Sequence, residues 1–176
     1  QFGLMGSVYM EKVMGVKNPR VGLVNLGTEE HKGDDLRKEA HALLKGCDGL
    51  NFIGNIEPRD LPYGMCDVAV ADGFTGNTVL KLYEGTALAM MGMVKDIFKK
   101  SLKNKLAAGM IYGDLQGLKK PMDYNSYGGA PLIGAAQPVF KMHGNTKAYA
   151  VQSALKLVRD CTESGYVEAI GAALGK

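Results

Sequence analysis

Apolar and polar positions along the chain change period several times, and each change marks an element. Met5 to Met14 reads as a short helix and Arg20 to Leu26 as a buried strand, after which Asp34 to Lys45 takes up an amphipathic helical pattern. Strand signals return at Leu50 to Ile56 and at Cys66 to Ala71. Strands alternating with helices predict a parallel α/β sheet with helices over both faces. Leu80, Tyr83, Ala87, Met91, Val94, Phe98 and Leu102 then recur at three- and four-residue steps, which predicts one long helix from about Asn77 to Leu106. Pro131 to Ala136 and Pro138 to Met142 resume short extended runs, and Asn145 is a good N-cap for a last helix ending near Gly165. No repeat or low-complexity segment interrupts this order.

Composition narrows the classes. A chain of 176 residues that is 46% hydrophobic and 22% charged supports one sizeable core, burying roughly 70% of its unfolded surface, so it reads as a single domain over residues 1–176. The net charge of +3 is small for a nucleic-acid binder. Cys47, Cys66 and Cys161 are too widely spaced for a disulfide framework or a CxxC metal site, which fits a reducing cytoplasm. No apolar run reaches 18 residues, so no spanning helix is expected. Gln1 at the start, ahead of a segment already helical in pattern, reads as a fragment or a processed product.

In an open parallel sheet, ligands collect beyond the carboxyl ends of the strands, where loops meet helix N-termini. Three loops qualify: Gly27 to Gly33, which includes Thr28 and Lys32; Asp72 to Asn77, which includes Gly73, Thr75 and Gly76; and Tyr127 to Pro131, which includes Gly128 and Gly129. Glycine-lined backbone, hydroxyls, an amide and a lysine are the groups that cradle phosphate. None of the three matches GxxxxGK[ST] or GxGxxG. From local chemistry alone the second loop reads first as a turn with an N-cap, and Lys32 in EEHKGDD reads first as a solvated lysine. His143 reads as a near-neutral general base or as a structural histidine. His31 and His41 lack the spacing of metal ligands and are expected to face solvent, while Cys47 and Cys66 read as small core residues. No metal site is expected.

Two long segments carry a resemblance. GNIEPRDLPYGMCDVAVADGFTGNTVLKLYEG (Gly54 to Gly85) and DYNSYGGAPLIGAAQPVFKMHG (Asp123 to Gly144) look like the PlsX phosphate acyltransferase family of bacterial phospholipid synthesis. The segment from Met5 to Gly33 is similar to it in order and spacing, and the match corresponds to the carboxyl-terminal half of that family. Asn145-Thr146-Lys147 departs from it, standing where the family often shows Ser-Ser-Asp. The resemblance implies an αβα sandwich related to the phosphate acetyltransferase and isocitrate dehydrogenase folds. It implies conversion of acyl-acyl carrier protein and inorganic phosphate to acyl phosphate and free carrier protein, without metal or organic cofactor. Lys32 and Asn77 would fall in the active site, with Asp72, Thr75 and Gly76 shaping the second loop. A homodimer peripherally attached to the cytoplasmic membrane surface is also implied, where the product would pass to a membrane glycerol-3-phosphate acyltransferase. A short-chain phosphate acetyl- or butyryltransferase and a non-catalytic docking or dimerisation fragment are the rival readings; a dehydrogenase lacks its dinucleotide fingerprint.

Charge position adds a second candidate surface. Between Lys95 and Lys120 stand seven lysines against Asp96 and Asp114, a net +5 that leaves −2 for the rest of the chain. Leu106, Met110, Ile111 and Tyr112 lie among them at the expected tip of a projecting helical hairpin over residues 77–122. Such a tip suits anionic lipid or a dimer partner equally, and nucleic acid less, since no aromatic platform accompanies the lysines.

Overall fold

The computed structural model describes residues 1–119, 128–142 and 148–175. Helix α1 (Phe2–Lys12) precedes strand β1 (Val21–Val24), followed by α2 (Asp35–Lys45), β2 (Phe52–Ile56), a 3-10 turn (Pro58–Tyr63) and β3 (Val68–Val70). These three strands form a parallel sheet in the order β2-β1-β3, with all four residues of β1 buried at its centre. The strands are shorter than the apolar runs predict. Arg20 and Asp67 flank them instead as an ion pair, Nε to Oδ2 at 3.0 Å and Nη2 to Oδ1 at 3.0 Å, with the Arg20 amide also donating to Oδ2.

Pleating sends Val21, Leu23, Val68 and Val70 to one face and Gly22, Val24, Ala69 and Ala71 to the other. The first face takes α1 and α2. Bare glycines let α1 approach, because a Cβ on Gly6 would stand 2.6 Å from Val68 Cγ1 and one on Gly3 would stand 2.7 Å from Leu44 Cδ2 of α2. The second face receives the 3-10 turn and the start of α3 (Gly73–Lys99). Helices thus flank the sheet as expected, in the manner of an αβα sandwich.

The long helix differs from its prediction at both ends. It starts at Gly73 rather than Asn77, because the Asp72 carboxylate accepts from the Phe74 and Thr75 amides and caps the first turn. It stops at Lys99, since Ser101 is extended (φ −149°, ψ 164°) and its hydroxyl accepts from the Asn104 amide to begin α4 (Leu102–Met110). Helix α5 (Tyr112–Lys119) follows, and no residue of α3 or α4 is buried.

The chain then returns through a two-residue antiparallel ladder, β4 (Ala130–Pro131) with β5 (Phe140–Lys141), where longer extended runs were expected. Prolines and a turn at Ile133–Gly134 confine the pairing. Helix α6 (Ala148–Glu163) follows; its expected cap, Asn145, lies outside the described residues. The helix ends close to Gly165 (φ 64°) as expected, and a further helix, α7 (Tyr166–Ala173), for which the pattern gave no prediction, follows. Met5, Cys161, Tyr166 and Ile170 form a second core joining α1 to α6 and α7, with Tyr9 and Tyr166 edge to face at 6.0 Å. Burial pushes the Tyr9 phenol up to about 12.

Three side chains sit differently from expectation. His41 is buried, not solvent-facing: it lies on the inner face of α2, edge-on to Phe52 at 5.1 Å. Cys47 and Cys66 are only half-buried, and Cys161 is the core cysteine.

Gly128 generates a stability prediction. Its backbone is left-handed (φ 75°) and buried against α6, where an added Cβ would strike the Ala154 amide and lie 2.6 Å from the Ser153 carbonyl carbon. Strain plus overpacking predicts a loss of about 2 to 4 kcal/mol for Gly128→Ala. Urea unfolding checks this, and an unchanged midpoint would contradict it.

Candidate functional site

The order β2-β1-β3 sets β1 and β3 side by side and parallel, so the loops leaving their carboxyl ends are neighbours. Two residues beyond the Leu23–Val70 pairing stand Asn25 and Asp72, which open these loops.

Buried amides shape the first loop. Asn25 Nδ2 donates to the Lys32 carbonyl at 3.0 Å while its Oδ1 accepts from the Leu26 amide at 2.8 Å. Asn55, buried at the end of β2, donates to the Glu29 carbonyl at 2.8 Å. Closing the loop requires Gly33 (φ 88°), where a Cβ would come within 2.9 Å of Arg37 Cβ. Gly27 is buried and equally confined, whereas Thr28 and Lys32 are exposed at the rim. Lys32 has no ion-pair partner among the described residues.

One guanidinium joins this loop to the second. Arg37 Nη1 donates to Oδ2 of Asp34, the α2 N-cap, at 2.7 Å. Its Nη2 donates to Thr75 Oγ1 at 2.6 Å and to Asp72 Oδ2, the α3 N-cap. Thr75 in turn donates its hydroxyl proton to Asp72 Oδ2 at 2.6 Å. Every member of the knot is satisfied. The Thr75 hydroxyl and amide, with Arg37 and the Phe74 amide behind them, hold the Asp72 carboxyl down at about 2. Asp72 therefore stays ionised, with both carboxylate oxygens engaged in the cap and the knot. Gly73 and Gly76 leave the α3 entrance open, and Asn77 lies one turn in with its side chain exposed.

Lys32 and Asn77 are both exposed donors, on loops whose backbones are tied together by buried or fully bonded groups. A cation and an amide beyond the carboxyl ends of adjacent parallel strands suit an anion and a developing oxyanion. Gly128 packs against α6 and Gly129 against Lys141 and Met142 at β5, and His143 lies outside the described residues. Among the described residues no group of three or more His, Cys, Asp or Glu could hold a metal ion. Leu106, Met110, Ile111 and Tyr112 are all exposed around the α4–α5 joint, Met110 at 87%. Among the described residues no helix is long and apolar enough to cross a membrane.

Arg37, Asn25 and Asn55 were not anticipated from the sequence. The two asparagines were visible as polar residues inside apolar runs, LVNLG and FIGNI. Arg37 carried no local signal, because its principal partners lie 35 and 38 positions away.

Residues 1–169 match the family described as fatty acid synthesis protein. The chain is 50% identical over all 176 of its residues to a phosphate acyltransferase of Listeria monocytogenes serotype 4a (strain HCC23), covering 52% of that protein. It is 47% identical, again over its full length, to a phosphate acyltransferase of Bacillus thuringiensis (strain Al Hakam), covering 53% of it. The chain thus spans about half the length of these relatives. With a family match over nearly all its residues, the chain belongs to the fatty acid synthesis protein family.

Proposed function

We propose that this chain supplies the phosphate-binding, carbonyl-activating part of an enzyme that moves an acyl group from acyl-acyl carrier protein to inorganic phosphate. The observation that carries this reading is the pair of exposed donors, Lys32 and Asn77, on the two loops locked by Arg37. A phosphate oxygen attacks the thioester carbonyl, and the tetrahedral oxyanion forms against the Lys32 ammonium and the Asn77 amide. Collapse breaks the carbon–sulfur bond, and the proton given up by phosphate ends on the departing thiolate. No acyl-enzyme is required. The names of the relatives, phosphate acyltransferase, support the transfer to phosphate.

Peripheral membrane docking and homodimerisation are a second element of the proposal, supported by the exposed apolar residues at the α4–α5 joint beside Lys103 and Lys105. Each lysine near an anionic surface adds about 1 kcal/mol. A fragment that docks without catalysing would keep this property and lose the first.

Lys32→Ala and Asn77→Ala should each lower phosphate-dependent thioester cleavage by about 100-fold or more in an active protein while leaving it folded. Near-normal turnover in both folded variants would remove these loops from the active site. His143→Ala should cost less, and chelators should leave the rate unchanged.

Because the folded Asp72 carboxyl is depressed to about 2, its contribution to stability is present above the unfolded value of about 3.9 and is lost as pH falls through about 2. The stability difference between the native chain and Asp72→Asn should therefore be flat above about pH 5 and shrink towards pH 2. Urea unfolding across that range tests it, and a pH-independent difference would contradict the bonded, ionised cap.

Changing Met110 and Ile111 to Asp should weaken sedimentation with anionic vesicles and leave catalysis in solution largely intact. Unchanged sedimentation, or binding insensitive to salt, would show that this joint is not a lipid anchor.

A further inference from the structure

A cleft of about 690 Å³ opens between the sheet, the 3-10 turn and the first turns of α3. Its floor is Val24, Ala69 and Ala71, the face of the sheet opposite α1 and α2. Val79, Leu80 and Tyr83 form one wall, and Leu61 and Pro62 the other. We propose that this cleft receives the alkyl chain of the acyl group, with the carbonyl left at its mouth beside Asn77; this rests on the acyl-transfer reading above.

Three observations lead there. The first is continuity: Ala71 and Gly76 line the cleft, and they directly precede Asp72 and Asn77 of the second loop. A chain lying in the cleft therefore ends at the donors that would meet its carbonyl. The second is width. The floor and mouth are cleared to alanine and glycine at positions 69, 71 and 76, and nothing stands within 4 Å of a Cβ placed on Gly76 except Ala71 at 3.6 Å, so a slender chain fits.

The third is polarity. Among the described residues the one charged group in the lining, Arg59, already pairs with Glu57 at 2.6 Å. Otherwise only Tyr83 and Thr86 bring hydroxyls. An extended polypeptide laid in this cleft would bring an amide and a carbonyl per residue that such a lining cannot satisfy. An alkyl chain brings none, and gains from every methylene that leaves water.

The test uses the 176-residue chain and alkylphosphonates of 4, 8 and 12 carbons, each kept below its micellar concentration, with inorganic phosphate as the chain-less probe. Affinity should rise by about fourfold per methylene until the cleft is filled. Ala69→Phe, which fills the floor, should abolish the rise beyond 4 carbons and leave phosphate affinity unchanged; should it fail to fold, Val79→Phe narrows the cleft from α3 instead. A 12-carbon phosphonate with a terminal diazirine should label residues 58–62 or 79–86. No dependence on length, a dependence untouched by either variant, or labelling elsewhere would overturn the assignment. Labelling that disappears in a full-length relative would give the cleft to polypeptide and overturn it too. Loss of phosphate binding with the length dependence intact would instead count against the reading of Lys32 and Asn77, leaving the cleft in place.

Discussion

The sharing of one guanidinium between two helix caps is the constraint on which the site depends. Asp34 caps α2 and Asp72 caps α3, and either carboxylate alone would repel an arriving anion. Arg37 bonds both, so the caps stay in place with their charge opposed. Thr75 closes the knot by accepting from Arg37 and donating to Asp72. Removing Arg37 would leave two acidic caps near one another with nothing between them. The same bonds fix how the loop after β1 sits against the entrance to α3, and so where Lys32 and Asn77 are presented.

Around that knot, small residues repeatedly permit close approach. Gly3 and Gly6 bring α1 down on the sheet, Gly33 closes the first loop over Asn25, and Gly128 lets the returning chain pass against α6. The effect is a polar, well-bonded rim at the strand ends and a dry cleft directly beneath it, on the face of the sheet that carries Ala69 and Ala71. A reaction between phosphate and a fatty thioester needs both environments within one substrate length. The lysine-bearing helices beyond α3 stand apart from this, and no residue of α3 or α4 is buried.

How much was legible in the sequence follows the range of each interaction. Alternating apolar periods located β1, α2, β2 and β3, because those elements are fixed by burial of their own side chains. Asp72 was readable as a cap, but placing the helix start at Asn77 overlooked that a carboxylate accepting from the Phe74 and Thr75 amides draws Gly73 into the helix. The stripe from Leu80 to Leu102 hid the break at Ser101, since apolar spacing continues across a residue whose hydroxyl starts a new helix. His41 looked like a surface histidine in a charged helix, yet its partner Phe52 comes from β2. Long-range partners are what a linear reading lacks, and Arg37 is the clearest case.

The most direct measurement is an amide-resolved NMR titration of the chain with inorganic phosphate. The account predicts saturable shifts concentrated at residues 27–33 and 72–77, weakened by Lys32→Ala and spread or lost when Arg37→Ala unties the caps. Saturable shifts centred elsewhere in a folded protein, or none at all in these two loops, would contradict it.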